Sequence, residues 1–139
     1  MVVVYKWGGI AFDDPALSKA LFLPADSWNE NGNRFTFHDE AGEDYQVPVG
    51  KVFIAGVLSF GLLSLVSANV ALIGESDAAD AALTKTLLTM GAEVENSFYY
   101  RKVFAIFTAG KYVTGHSKGA VGGHALLTNS ALYGVEAPA

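Results

Sequence analysis

"VFIAGVLSFGLLSLVSANVALI", residues 52 to 73, decides the fold. It carries no charge and is long enough to cross a bilayer as a single helix, which takes about 20 apolar residues. Read instead as two buried strands, it is the centre of an all-β protein. The residue order favours strands. Val, Ile and Phe dominate the first part, and a Ser59-Phe60-Gly61 break follows. From Val66 the chain alternates Val66, Ala68, Val70 and Leu72 against Ser67, Asn69 and Ala71, the period of two that a strand with one inward face requires. Gly56, Gly61 and Asn69 each weaken a helix. The expectation is two strands and no membrane span.

Moving outward, the rest of the chain reads as short strands between turn residues. Residues 34 to 48, "RFTFHDEAGEDYQVP", form a hairpin candidate: Phe35 and Phe37 alternate with Thr36 and His38, the acidic stretch around Gly42 turns, and Tyr45-Gln46-Val47 returns. Pro48 and Gly50 punctuate the entry to "KVFIAGVL". Further strands are expected at 65–73, 98–107, 111–114, 121–128 and 132–136. Residues 76 to 90 read as a short helical turn capped by Ser76 and followed by a strand. Strands at this spacing predict an antiparallel β-sandwich or barrel. Residues 1 to 30 differ, with Gly8-Gly9, Pro15 and Pro24 between isolated aromatic and aliphatic residues. They predict an extended N-terminal arm lying on something else, with the β-domain spanning 31–139.

A chain of 139 residues is one domain's worth, able to bury roughly two thirds of its unfolded surface. It has no cysteine, so neither a disulfide framework nor a thiolate metal site is available. A formal charge of −5, with basic residues scattered singly apart from Arg101-Lys102, argues against nucleic acid as a partner. The start, "MVVVYKWGG", lacks the apolar core and cleavage site of a signal peptide. Two strands are apolar at every position, Val52-Phe53-Ile54-Ala55 and Val103-Phe104-Ala105-Ile106-Phe107. Successive side chains of a strand point opposite ways, so both sides of such a sheet need covering. A two-sheet sandwich covers only one. The pattern therefore predicts an oligomer or a component of a larger assembly.

One motif points to an enzyme. Gly115-His116-Ser117-Lys118-Gly119 resembles the nucleophile elbow of serine esterases and lipases, with Tyr112-Val113-Thr114 as the strand before it. Its serine needs a histidine and a carboxylate, and in α/β-hydrolases the acid precedes the histidine. After Ser117 the only such residues are His124 and Glu136, in the reverse order, and Gly119, Gly122 and Gly123 weaken the helix an elbow begins. A glycine-rich turn between strands is the simpler reading. Gly50-Lys51 and Gly110-Lys111 lack the upstream glycine and following Ser or Thr of a phosphate loop, and read as turns. His38, His116 and His124 lack zinc-ligand spacing, and the acidic runs at 38–44 and 74–80 lack the calcium-loop pattern. No catalytic residue, metal or cofactor is assigned.

"VPVGKVFIAGVL" at 47–58, "FTAGKYVTG" at 107–115 and "HALLTNSALYGVE" at 124–136 resemble the strand-turn phrases of the small jelly-roll head-decoration, or cement, proteins of tailed bacteriophages. The resemblance spans roughly residues 34 to 136. It implies a jelly-roll-like fold and a homotrimer on the virion's capsid surface, bound to the major capsid protein and without catalytic residues. The arm, with Val2, Val3, Val4, Tyr5 and Trp7 before a Gly8-Gly9 pivot, is the candidate capsid contact; an edge strand paired within the same subunit or the trimer suits three valines equally. Two other classes stay open: a carbohydrate- or receptor-binding β-sandwich using the aromatic side chains, and an esterase using Ser117.

Overall fold

The computed structural model describes residues 6–7, 10–11, 18–24, 34–61, 70–91, 98–118 and 131–139. Among them every regular element is a strand. They are β1 (Lys6–Trp7), β2 (Ile10–Ala11), β3 (Lys19–Pro24), β4 (Arg34–Thr36), β5 (Lys51–Gly61), β6 (Val70–Ser76), β7 (Leu83–Gly91), β8 (Phe98–Phe107), β9 (Tyr112–Lys118) and β10 (Ala131–Pro138). β1 and β2 pair with each other, and β2 lies against β10. The other eight form two antiparallel four-stranded sheets, in the orders β3-β10-β5-β8 and β4-β9-β6-β7.

These orders have one simple description. Strand β6 pairs with β7, β5 with β8, β4 with β9 and β3 with β10, so the chain is one long antiparallel ribbon folded at the β6–β7 turn. The ribbon is rolled up until β10 also meets β5 and β9 also meets β6. That is the jelly-roll winding, two Greek keys closed into a sandwich.

The stretch that opened the question is strand on both described sides: residues 52–61 lie in β5 and 70–73 in β6, while 62–69 fall outside the described residues. No helix among the described residues is long and apolar enough to cross a membrane. The predicted strand at 98–107 is β8; of the hairpin expected at 34–48 only β4 is a strand, its arms joined by a single bridge at His38–Asp44 while Gln46 bridges to Tyr112, and Phe35, Phe37, Tyr45 and Val47 are all buried. The predicted helical turn after Ser76 is corrected. Residues 77–80 form a tight turn, Ser76 belongs to β6, and its hydroxyl donates to the Ala78 carbonyl at 2.8 Å rather than capping a helix. The strand at 111–114 runs on to Lys118, and the predicted strand at 121–128 lies outside the described residues. Within the stretch read as an arm, Lys19–Pro24 is the edge strand β3 of the first sheet.

The interior is built from the inner faces of both sheets. Phe53, Ala55, Leu58, Phe107, Leu132 and Leu23 come from the first, and Phe35, Ile73 and Val113 from the second. Full burial of each large side chain contributes about 1.5–3 kcal/mol. The turns named from glycine form as such: Gly42, Gly50 and Gly110 have φ of 83°, 76° and 80°, a region that favours glycine.

Candidate functional site

The outer faces of the two sheets differ in chemistry. Across the first sheet the register aligns Phe22, Tyr133, Val57 and Lys102 in one row and Ala20, Val135, Ile54 and Ile106 in the next. These residues point away from Phe53 and Phe107 because side chains alternate along a strand. Phe22 is 43% exposed, Tyr133 39%, Tyr100 75% and Phe104 56%. Phe22 and Tyr133 pack with ring centroids 5.0 Å apart, while Tyr100 and Phe104 stand on β8, on the far side of β5. An aromatic side chain buries about 150–250 Å² when covered, so these four leave on the order of 400 Å² bare in total, comparable to the largest apolar patch of an ordinary monomer, which is often a binding surface.

The second sheet presents hydroxyls. Thr36, Thr114, Gly74 and Thr86 share one row. Thr114 Oγ1 lies 3.1 Å from Thr36 Oγ1 and 2.7 Å from Ser76 Oγ, and all three residues are buried. What buries them is the β6–β7 loop folding back over the sheet, where the Asp80 backbone N–H donates to Thr36 Oγ1 at 2.8 Å. Asp80 makes that bend with φ of 55°, a conformation Asp tolerates better than most residues. Lys111 pairs with Asp77 of the same loop, which raises the lysine pKa.

The end of the sandwich holding the 37–50 connection carries a third feature. A cleft of about 480 Å³ lies between the start of β3 and this connection, with Glu40, Asp44, Tyr45, Pro48 and Glu136 on its walls. Tyr45 donates its hydroxyl to Glu136 Oε2 at 2.9 Å. Burial raises the Tyr45 pKa well above the ordinary phenol value, and the bond to Glu136 raises it further. Asp39 folds the connection, its Oδ1 accepting from the backbone N–H groups of Ala41 at 2.9 Å and Glu43 at 3.0 Å. Val49, at the tip of the following turn, is 92% exposed.

The elbow motif has a different explanation. Residues 112–118 run as one strand, with Ser117 opposite Ala71 and Lys118 opposite Val70, so Ser117 is a paired strand residue; residues 119–130 lie outside the described residues. A Cβ at Gly115 would overlap the ring of Phe35, which stands directly opposite on the neighbouring strand β4. Glu136, the motif's only later acid, sits in β10 bonded to Tyr45, and His124 lies outside the described residues. His38 Nε2 is 3.5 Å from Asp44 Oδ1 and His116 lies in β9; among the described residues no three His, Asp or Glu side chains are grouped to hold a metal ion. Of the arm residues, Trp7 pairs through its backbone with Ile10, while Val2, Val3, Val4 and Tyr5 lie outside the described residues.

Sequence reasoning located the two-faced strands β5 and β8. It missed Phe22, Tyr133 and Tyr100, because only strand order reveals that three distant segments contribute to one face. No family model matches the chain, and no curated protein or solved structure matches it significantly.

Proposed function

We propose that this protein is a structural assembly component, a jelly-roll that decorates and stabilises a phage capsid surface as a homotrimer bound to the major capsid protein. Jelly-roll winding occurs in viral capsid and lectin domains alike and by itself names no function. The observation that carries the reading is the exposed aromatic face of the first sheet. It is joined by the way the edges of the two four-stranded sheets are blunted. β4 has three residues, and β3, β7 and β8 carry Lys19, Lys85 and Arg101-Lys102, charges that oppose edge-to-edge strand pairing. A molecule with guarded edges and a bare apolar face associates through the face. In this reading Val2, Val3, Val4, Tyr5 and Trp7 make the capsid contact.

The test combines native mass with co-sedimentation on empty heads assembled from the major capsid protein of the same genome. The expected result is a trimer that pellets with heads, and whose attachment weakens tenfold or more when residues 1 to 9 are deleted. A protein that does not pellet with heads overturns the capsid reading.

The cleft beside Glu136 favours a second reading, a carbohydrate-binding sandwich, since Glu40, Asp44, Gln46 and Glu136 on its walls are groups that can bond sugar hydroxyls. Saturable binding on a glycan array, lost in Glu136→Gln with the fold intact, would select it.

A further inference from the structure

We infer that the exposed face of the first sheet seats the 37–50 connection of a second copy of this chain, in a head-to-tail contact. The inference rests on the reading of the protein as an oligomeric assembly component, and it names the two surfaces that meet.

The face is apolar with one cation. Among its described side chains Lys102 alone is charged, standing at the β8 edge beside the exposed Arg101. The bare aromatic area, about 400 Å², is near half of what each partner buries in a standard interface. Its complement needs an apolar protrusion flanked by carboxylates. The chain itself has one. The turn closed by the Lys51 N–H bonding the Pro48 carbonyl at 3.1 Å lifts Val49 into solvent, and Asp39, Glu40, Glu43 and Asp44 lie in the same connection. Pro48, Glu40 and Asp44 line one cleft, so the knob and the acids belong to one end of the molecule.

Within one copy these surfaces do not meet. The cleft borders Lys19 and Leu21 of β3, whereas Lys102 lies on β8 at the opposite edge of the sheet, three strand spacings or roughly 14 Å away. Two faces packed against each other across a two-fold axis would bring Lys102 no carboxylate, because the described residues of the face include none. The contact that pairs cation with anion is therefore between unlike surfaces. Such contacts generate closed rings when the rotation between copies closes. A three-membered ring satisfies the trimer of the proposed function.

Sedimentation velocity on the full chain at micromolar concentration tests the contact. Val49→Asp and Lys102→Glu are each expected to lower the association constant tenfold or more, and raised salt to weaken the wild-type ring. The double variant Glu40→Lys/Glu43→Lys should dissociate likewise, and combining it with Lys102→Glu should restore assembly. Unchanged urea midpoints show that the variants fold; Lys102→Ala serves if Lys102→Glu does not. A wild-type monomer overturns the inference, as does an oligomer indifferent to Val49→Asp and Lys102→Glu, or a charge swap that fails to restore assembly. Head binding that survives any of these results leaves the capsid reading standing.

Discussion

The row Phe22–Tyr133–Val57–Lys102 on the first sheet and the row Thr36–Thr114–Gly74–Thr86 on the second occupy equivalent positions, each crossing four strands on the side away from the core. One is aromatic and bare, the other is hydroxyl-bearing and partly closed by its own loop. The difference lies in what completes each face. Thr36, Ser76 and Thr114 satisfy one another and the 77–80 turn, so the second face is finished within the chain. Hydroxyls left buried without partners would each cost about 1–3 kcal/mol. Among the described residues the aromatic side chains of the first face have no such completion.

Glycine substitution breaks the comparison most sharply. Gly74→Ala on the closed sheet would drive its Cβ into the Lys85 carbonyl of β7, a clash with backbone, and is expected to cost about 3 kcal/mol. Gly56→Ala on the open sheet meets nothing nearer than the Tyr133 carbonyl at 4.0 Å and should leave stability within about 0.5 kcal/mol. Urea unfolding of the pair measures the contrast. Equal losses would mean that the two positions are equally crowded; Gly134 of the open sheet, whose Cβ would meet the Ile54 carbonyl, is as tight as Gly74.

Thr114→Val comes next. It keeps the shape and deletes the hub of the hydroxyl network, so the closed face should lose about 1–2 kcal/mol by the same measurement. Tyr45→Phe probes the seam between the sheets, where the hydroxyl joins the 37–50 connection to β10. At neutral pH the loss should be about 1 kcal/mol. The folded pKa of Tyr45 lies above its unfolded value of 10.0, so above that pH the unfolded chain releases a proton that the folded one retains. Its contribution is full below about pH 10 and falls as pH rises further; urea midpoints from pH 8 to 11.5 should decline less steeply in Tyr45→Phe.

The smallest effect belongs to the open face. Tyr100→Thr removes a ring that is 75% exposed and should change unfolding free energy by less than about 0.5 kcal/mol, while reducing binding of a hydrophobic dye. A loss of several kcal/mol would show that the ring serves the fold rather than a partner.

Much of the fold was legible in local pattern. Phe35 and Phe37 alternating with Thr36 named the strand β4 and its inward side, Phe35 and Phe37 facing the core while Thr36 lies beneath the 77–80 turn. Gly50 and Gly110 marked turns through a backbone requirement that acts within a residue or two. Gly115 misled for the opposite reason. Beside Ser117 it imitated a catalytic turn, yet a Cβ there would overlap the Phe35 ring on the neighbouring strand, a contact no local rule encodes. The segment after Ser76 misled because the serine's partners, Thr114 and Ala78, replace a cap with a tertiary network.

By itself the sequence determined that this protein is all-β, where most strands run, and that β5 and β8 carry apolar residues on both faces. Periodicity and glycine placement are properties of neighbouring residues, and short-range sterics suffice to read them. Which strands stand side by side was decided only in the tertiary structure. Phe22 meets Tyr133, and Thr36 meets Thr114, because the ribbon rolls up as a whole. The free energy of that closure is shared among all the strands at once, so no single segment announces which face will be sealed and which left open.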